Sequence, residues 1–397
     1  MRNIRNFIFL KDVFILAITS FGGAQAHFAI ILDRMVKLRA YLTEEELIEL
    51  HALCNLLPGP TSTQTITAIG FKRGGPPLAY LTLLVWILPA VTIMTAAAIL
   101  INSLQVKELS LHFTRFIQPM AIAFVAYSAV LIWGKVVKSR TSIFLAIGSA
   151  VISYFISSPY LFPVLLLAGG VISSTKYKRH EKEERQKINI VWANFFLWGG
   201  VLIFAALLGA ATKYQAITLP IRLFENFYRN GSLIFGGGQV LVPFLYTEFV
   251  EFKRYLSSEE FLSGYALVQA IPGPTFSFSA FIGALTMREW GTSGEIMGAV
   301  IASVGVFLPG TFLIFFVSRF WDQLKKYRPV KASLEGINAA SAGMVVAAAF
   351  LLYQPLEQNL LNILVIIITF LVLQFTKMPR PIIILIGFVL GFVFKGQ

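Results

Sequence analysis

Thirteen mainly apolar stretches, most of them long enough to cross a bilayer as helices, run the length of this 397-residue chain. They fall at 4–31, 44–71, 76–102, 111–134, 141–157, 159–175, 193–212, 217–249, 258–286, 294–319, 334–355, 359–376 and 381–394. A water-soluble fold is excluded: 56% of residues are hydrophobic and 13% charged, where soluble domains carry about 25% charged residues. The expected fold class is an all-α polytopic membrane protein. One stretch is too polar for lipid, Lys176 to Lys187, and reads as a solvated linker.

The chain also repeats itself. Phe21-Gly22-Gly23-Ala24-Gln25 recurs 214 residues later as Phe235-Gly236-Gly237-Gly238-Gln239. At the same offset Tyr41-Leu42-Thr43 matches Tyr255-Leu256-Ser257, and Pro58-Gly59-Pro60-Thr61 matches Pro272-Gly273-Pro274-Thr275. After a six-residue insertion following Arg288, Leu88-Pro89 matches Leu308-Pro309. The organisation is a first repeat at 1–175, a charged cytoplasmic linker at 176–192, a connecting transmembrane helix at 193–213 and a second repeat at 214–397. Six spans plus one connecting helix turn the second copy over. The halves then form an inverted repeat, as in many secondary transporters, with a substrate site where they meet.

With the N-terminus cytoplasmic, 23 of the 33 Lys and Arg fall inside, as the positive-inside rule expects. Arg34, Lys37 and Arg39 go against that trend. Basic residues beside anionic lipid explain most of the net charge of +13, so nucleic acid is not among the expected partners. A signal-peptide reading with Ala24-Gln25-Ala26 as cleavage site is disfavoured because the segment is duplicated in mid-chain. Cys54 is the one cysteine and the four histidines lack metal-ligand spacing. No metal, cofactor or catalytic residue is expected, and the chain does not read as an enzyme.

The strongest local signals are the two Pro-Gly-Pro breaks. Proline lacks a donor and clashes with the preceding turn, so each helix stops before it, and a new one begins at the second proline. The free amides and positive dipole end of that new helix suit an oxyanion, with nearby hydroxyls as added donors. The candidate binding residues are Pro58, Gly59, Pro60, Thr61, Ser62 and Thr63 in one repeat, and Pro272, Gly273, Pro274, Thr275 and Ser277 in the other. A simple proline kink is the alternative. Gly22, Gly23, Gly236 and Gly237 allow unwinding, and Gln25 and Gln239 after them could donate to an anion or bond across helices. Gln64 carries the same ambiguity. His27 has Leu241 at its duplicated position, which makes it a proton-coupling candidate, or else a packing residue. Glu44 to Glu46 fit an acidic first turn after a Thr43 cap.

Taken together, Phe21 to His27, Leu57 to Thr61, Gly70 to Pro76 and the second copies at Phe235 to Gln239 and Pro272 to Thr275 resemble the chromate ion transporter family in its long-chain, two-domain form. The resemblance implies an inner-membrane protein with antiparallel homologous halves that exports chromate, confers resistance and draws on proton-motive force. It implies a small inorganic anion as partner, with sulfate as the alternative to chromate. Membrane lipid surrounds such a protein, and a homodimer is compatible with it.

Overall fold

The computed structural model describes residues 2–22, 24–106, 115–156, 158–176, 192–211, 215–235, 237–238, 240–324 and 327–393. All regular structure among them is helical. In chain order the helices begin with α1 (Arg2–Thr19), α2 (Ala24–Ile31), α3 (Glu44–Leu56), α4 (Thr61–Val106), α5 (Ile117–Val136), α6 (Arg140–Phe155), α7 (Leu161–Ser174) and α8 (Ala193–Ala211). They continue with α9 (Gln215–Leu233), α10 (Leu241–Tyr246), α11 (Ser258–Ala270), α12 (Phe278–Thr286), α13 (Gly291–Val317), α14 (Trp321–Leu324), α15 (Arg328–Tyr353), α16 (Leu360–Phe375) and α17 (Arg380–Val393). Two compact units result, each drawing on both sequence repeats: Met1–Asn102 with Ile190–Gly238 and Val268–Arg319, and Ser103–Asn189 with Gln239–Leu267 and Phe320–Gln397.

The first unit opens with two helical hairpins. α1 stops at Ser20, and α2 runs on into a π-helical segment, Leu32–Leu38. α3 starts on a capping box, in which Thr43 accepts from the Glu46 amide and Glu46 accepts from the Thr43 amide. In one continuous helix Asp12 and Arg34 would lie about 33 Å apart and Glu46 and Lys72 about 39 Å. They are ion-paired at 2.7 and 2.6 Å, and His51 meets Thr65 at 3.2 Å across the Pro-Gly-Pro. Residues 4–31 and 44–71, each expected to be a single crossing, therefore fold back on themselves at their glycine and proline breaks. α3 is 13 residues long and rises about 20 Å, so its tip ends within a hydrocarbon core about 30 Å thick. Two crossings drop out together, and the odd parity behind the inverted repeat is kept.

The base of the hairpins is locked by charge. Asp12, fully buried, pairs with Arg34 at 2.7 Å and Arg39 at 2.9 Å and accepts the Tyr41 hydroxyl at 2.6 Å. Burial, then the bond to Asp12, pushes the Tyr41 hydroxyl up to about 12, so it stays a donor at any physiological pH. The Arg73 guanidinium lies over the rings of Tyr41 and Phe9, 4.2 and 5.2 Å from their centres. Phe9, Asp12, Tyr41 and Arg73 thus share one level, and both hairpins rise from the same side. The Arg34, Lys37 and Arg39 cluster joins Lys72 and Arg73 there, which removes the exception to the charge asymmetry.

α4 is two helices meeting at Gly75, whose φ of 72° and ψ of −166° only glycine adopts without strain. Gly291, at the start of α13, has φ 67° and ψ −166°, so the second repeat turns the same corner. After the first corner the second limb of α4 runs back along the first, and Trp86 donates its indole N–H to Thr63 at 3.1 Å. After the second, α13 runs back along α12, where Gly283 and Gly298 let the backbones touch. α8 and α9 pack beside α13, with Phe204 and Leu207 of α8 left exposed, as lipid requires. In the second unit α15 packs against α5, α6 and α7. Gly336 meets Gly169 there, and Ser149 donates to the Ala340 carbonyl at 2.8 Å.

The fold-back has a direct test in a Cys54→Ala background. Cysteines introduced at Asn3 and at Leu38, which is 67% exposed, are expected to react with an impermeant maleimide from the same side of sealed vesicles. Reaction from opposite sides would restore a single crossing over 4–31.

Candidate functional site

The four breaks meet in the first unit, and backbone hydrogen bonds hold them together. The Gly59 amide donates to the Ile234 carbonyl at 2.7 Å, and the Gly273 amide donates to the Ser20 carbonyl at 2.9 Å. Ser20 and Ile234 occupy the same repeat position, just before the Phe-Gly-Gly motif. Each Pro-Gly-Pro of one repeat is therefore tied to the Phe-Gly-Gly break of the other. The packing is reciprocal as well: a Cβ on Gly59 would stand 3.7 Å from the Gly231 carbonyl, and one on Gly273 3.7 Å from that of Ala17, the matching residue. An exchange in which i touches j and j touches i is the signature of a two-fold relation.

The local reason is glycine. Gly59 and Gly273 have φ of 115° and 102°, where a side chain is strained. A side chain would also strike Gln64 Nε2 in one case and Ala90 in the other, each 2.9 Å away. Gly22 and Gly237 have φ of 98° and 101° at the Phe-Gly-Gly breaks. Gly23, Gly236, Gln239 and the Gln25 side chain lie outside the described residues.

The first helix start is built from Pro58 to Thr63. Gln64 donates from its backbone to the Pro60 carbonyl at 2.9 Å and from its side chain to the Pro58 carbonyl at 2.6 Å. Thr61, Ser62 and Thr63 are buried in the first turn of α4, where amides have no intrahelical acceptor. Ser62 meets His27 Nδ1 at 3.1 Å, and Thr63 accepts from Trp86. At the second helix start, Pro274 is extended, Thr275 lies against Gly238, and the Ser277 amide donates to the Pro274 carbonyl at 2.9 Å. Ser277 and Ser279 are fully buried with hydroxyls that have no protein partner. The Ser20 hydroxyl and Gln64 Oε1 are in the same condition. A buried polar atom left unpaired costs about 1–3 kcal/mol. This unit thus holds two helix starts together with hydroxyl donors that the fold itself does not satisfy.

His27 is buried between these parts, with Nε2 3.2 Å from the Ser20 carbonyl and its ring edge-on to Trp86 at 5.6 Å. Sequence reasoning missed Ser20 and Trp86, whose types carry no signal by themselves. It also missed Asp12 and the buried Glu295, which accepts from Asn102 at 2.9 Å. A carboxylate inside an apolar run is a signal that could have been read.

Broken helices from both repeats, meeting inside a helical membrane protein, are the architecture of a secondary transporter. The chain matches the chromate transporter family over residues 8–174 and 221–392, one match per repeat, and belongs to that family. It is 23% identical to an uncharacterized transporter of Methanocaldococcus jannaschii over 95% of this chain and 92% of the relative. It is 25% identical to a probable chromate transport protein of Synechococcus elongatus, with the same coverage of 95% and 92%. Against a chromate transport protein of Cupriavidus metallidurans the identity is 24%, over 94% of this chain and 89% of the relative. No solved structure matches the chain.

The bonded glycines give a stability prediction. Gly59→Ala and Gly273→Ala should each destabilise the protein by about 1–3 kcal/mol and lower its thermal midpoint in detergent. Gly148→Ala, in mid-α6 with open space around it, should raise the midpoint slightly, by about 0.5–1 kcal/mol of helix propensity.

Proposed function

We propose that the protein exports chromate across the cytoplasmic membrane by alternating access around the paired Pro-Gly-Pro tips, and so confers chromate resistance. The observation that carries this reading is the reciprocal exchange between Gly59 and Ile234 and between Gly273 and Ser20, which gathers both helix starts into one unit. Chromate is a tetrahedral dianion. Two helix starts offer it free amides, and Thr61, Ser62, Ser277 and Ser279 offer hydroxyls. The N-terminus is cytoplasmic in this reading, consistent with the basic hairpin base. Export then runs with the electrical part of the proton-motive force, since a dianion leaving an interior-negative cell gains about 4.6 kcal/mol per 100 mV. The site works by binding and release rather than by covalent chemistry, which fits a transporter and not an enzyme.

Uptake of labelled chromate into inverted vesicles energised by respiration tests the reading, with excess sulfate as competitor and a protonophore as control. Accumulation that resists sulfate and collapses with the protonophore is expected. No chromate accumulation, with labelled sulfate entering right-side-out vesicles instead, would make the protein a sulfate permease. In the same assay Pro58→Ala and Thr61→Val should lose most transport while still inserting in the membrane. Normal transport by both would remove the Pro-Gly-Pro tip as the binding site.

A further inference from the structure

His27 stands in a hydrogen-bond arrangement that fixes where its proton is. Nε2 faces the Ser20 carbonyl at 3.2 Å, and a carbonyl can only accept, so Nε2 carries the hydrogen in the neutral ring. Nδ1 then holds a lone pair, and the Ser62 hydroxyl 3.1 Å away donates its hydrogen to it. In that state Ser62, in the first turn of α4, turns only lone pairs towards an arriving anion.

Protonation reverses the bond. With a proton on Nδ1 the imidazolium donates to Ser62 Oγ, and the Ser62 hydrogen rotates about the Cβ–Oγ bond, free to donate elsewhere. We propose that Ser62 is the positioning residue through which the charge of His27 sets oxyanion affinity: neutral His27 withholds the Ser62 hydrogen, and protonated His27 releases it to the anion. No covalent bond between heavy atoms changes; one proton is taken up at Nδ1 and one hydroxyl hydrogen changes acceptor. Proton and anion then favour each other's binding by the same factor. A proton bound with the dianion leaves one net negative charge to move, which the interior-negative potential still expels.

Two further observations support the switch. The repeat lacks the network as a whole: Leu241, Phe276 and Val306 stand where His27, Ser62 and Trp86 stand in the first copy. A histidine kept only to fill space would not need its serine and tryptophan partners to come and go with it. Among the described residues, the contacts of His27 also bring no competing charge to it. The groups facing His27 are Ser20 from α1, Ser62 from the first limb of α4 and Trp86 from the second, none of which titrates in this range. On α1 and α4 the charged residues Lys11, Asp12, Lys72 and Arg73 sit at the hairpin base, about 12 Å or more along their helices from these contacts. His51, across the Phe28 ring, bonds Thr65 instead.

The switch rests on the oxyanion-transport reading, and one experiment separates the two. Chromate transport by the full-length protein in proteoliposomes is followed from about pH 4 to about pH 8, a range wide enough to include the titration of a buried histidine. The wild-type KM should rise about tenfold over that range, the scale of one lost charge-assisted hydrogen bond. In Ser62→Ala and in His27→Gln the KM should sit near the alkaline wild-type value and lose the extra slope. Ser62→Thr, which keeps the hydroxyl, should restore it. The protonation of chromate itself acts on every variant alike, so differences between variants report the protein. A Ser62→Ala profile that parallels wild type, or a wild-type KM indifferent to pH, overturns the switch and leaves transport standing. No chromate movement by the wild type at any pH overturns the transport reading and the switch with it. If Ser62→Ala does not fold, Ser62→Cys, near in size and only a weak donor, takes its place with the same two outcomes.

Discussion

A helix broken inside a membrane strands amides and carbonyls that lipid cannot satisfy, at a cost of several kcal/mol for each. In this chain the breaks satisfy one another. The Gly59 amide finds the carbonyl before one Phe-Gly-Gly break, and the Gly273 amide finds the carbonyl before the other. Pro58, Pro60, Pro272 and Pro274 have no amides of their own to place, so the donors that remain are those gathered at the two helix starts. Pro58, Gly59 and Pro60 are accordingly buried in the protein. The rest of the first unit follows: hairpins whose tips must reach each other, corners at Gly75 and Gly291 that bring the next helix back, and a base cluster around Asp12 that holds the legs together.

The exchange is symmetric, but the chemistry hung on it is not. In the first repeat the helix start is polar, with Ser62 on His27, Thr63 on Trp86 and Gln64 on the Pro58 carbonyl. In the second, Phe276 and Phe278 take the places of Ser62 and Gln64, and the remaining serines, Ser277 and Ser279, have no protein partner. One tip carries a wired network and the other bare donors. Duplication supplied the frame, and divergence confined the titratable group to one side of it.

Much of this was legible in the sequence. The helical class, the duplication, the Thr43 cap and the four breaks all follow from residue type and spacing, because proline and glycine act locally. What was not legible is the direction of the chain after each break. Hydropathy counts apolar residues and cannot tell a leg that continues from one that returns. Yet two features disagreed with straight crossings: Asp12, a carboxylate within an apolar run, and the Arg34 to Arg39 cluster on the wrong side of the charge count. Asp12 pairs with Arg34 and Arg39 of that cluster, and a pairing between distant residues is what single-sequence periodicity does not contain. The placement of Ser20 was hidden for the same reason, since its role lies in a backbone carbonyl that any residue could supply.

The crossed bonds also order events in time. Gly59 emerges from the ribosome 175 residues before Ile234, the residue whose carbonyl it needs. At synthesis rates of about 5–20 residues per second, the first pair of hairpins waits roughly 10–35 s for its counterpart. Throughout that interval the first Pro-Gly-Pro tip has no native acceptor and must be held by water, by the insertion machinery or at the membrane surface. The native bond of the first tip is thus completed only when the second repeat brings the Ile234 carbonyl into place.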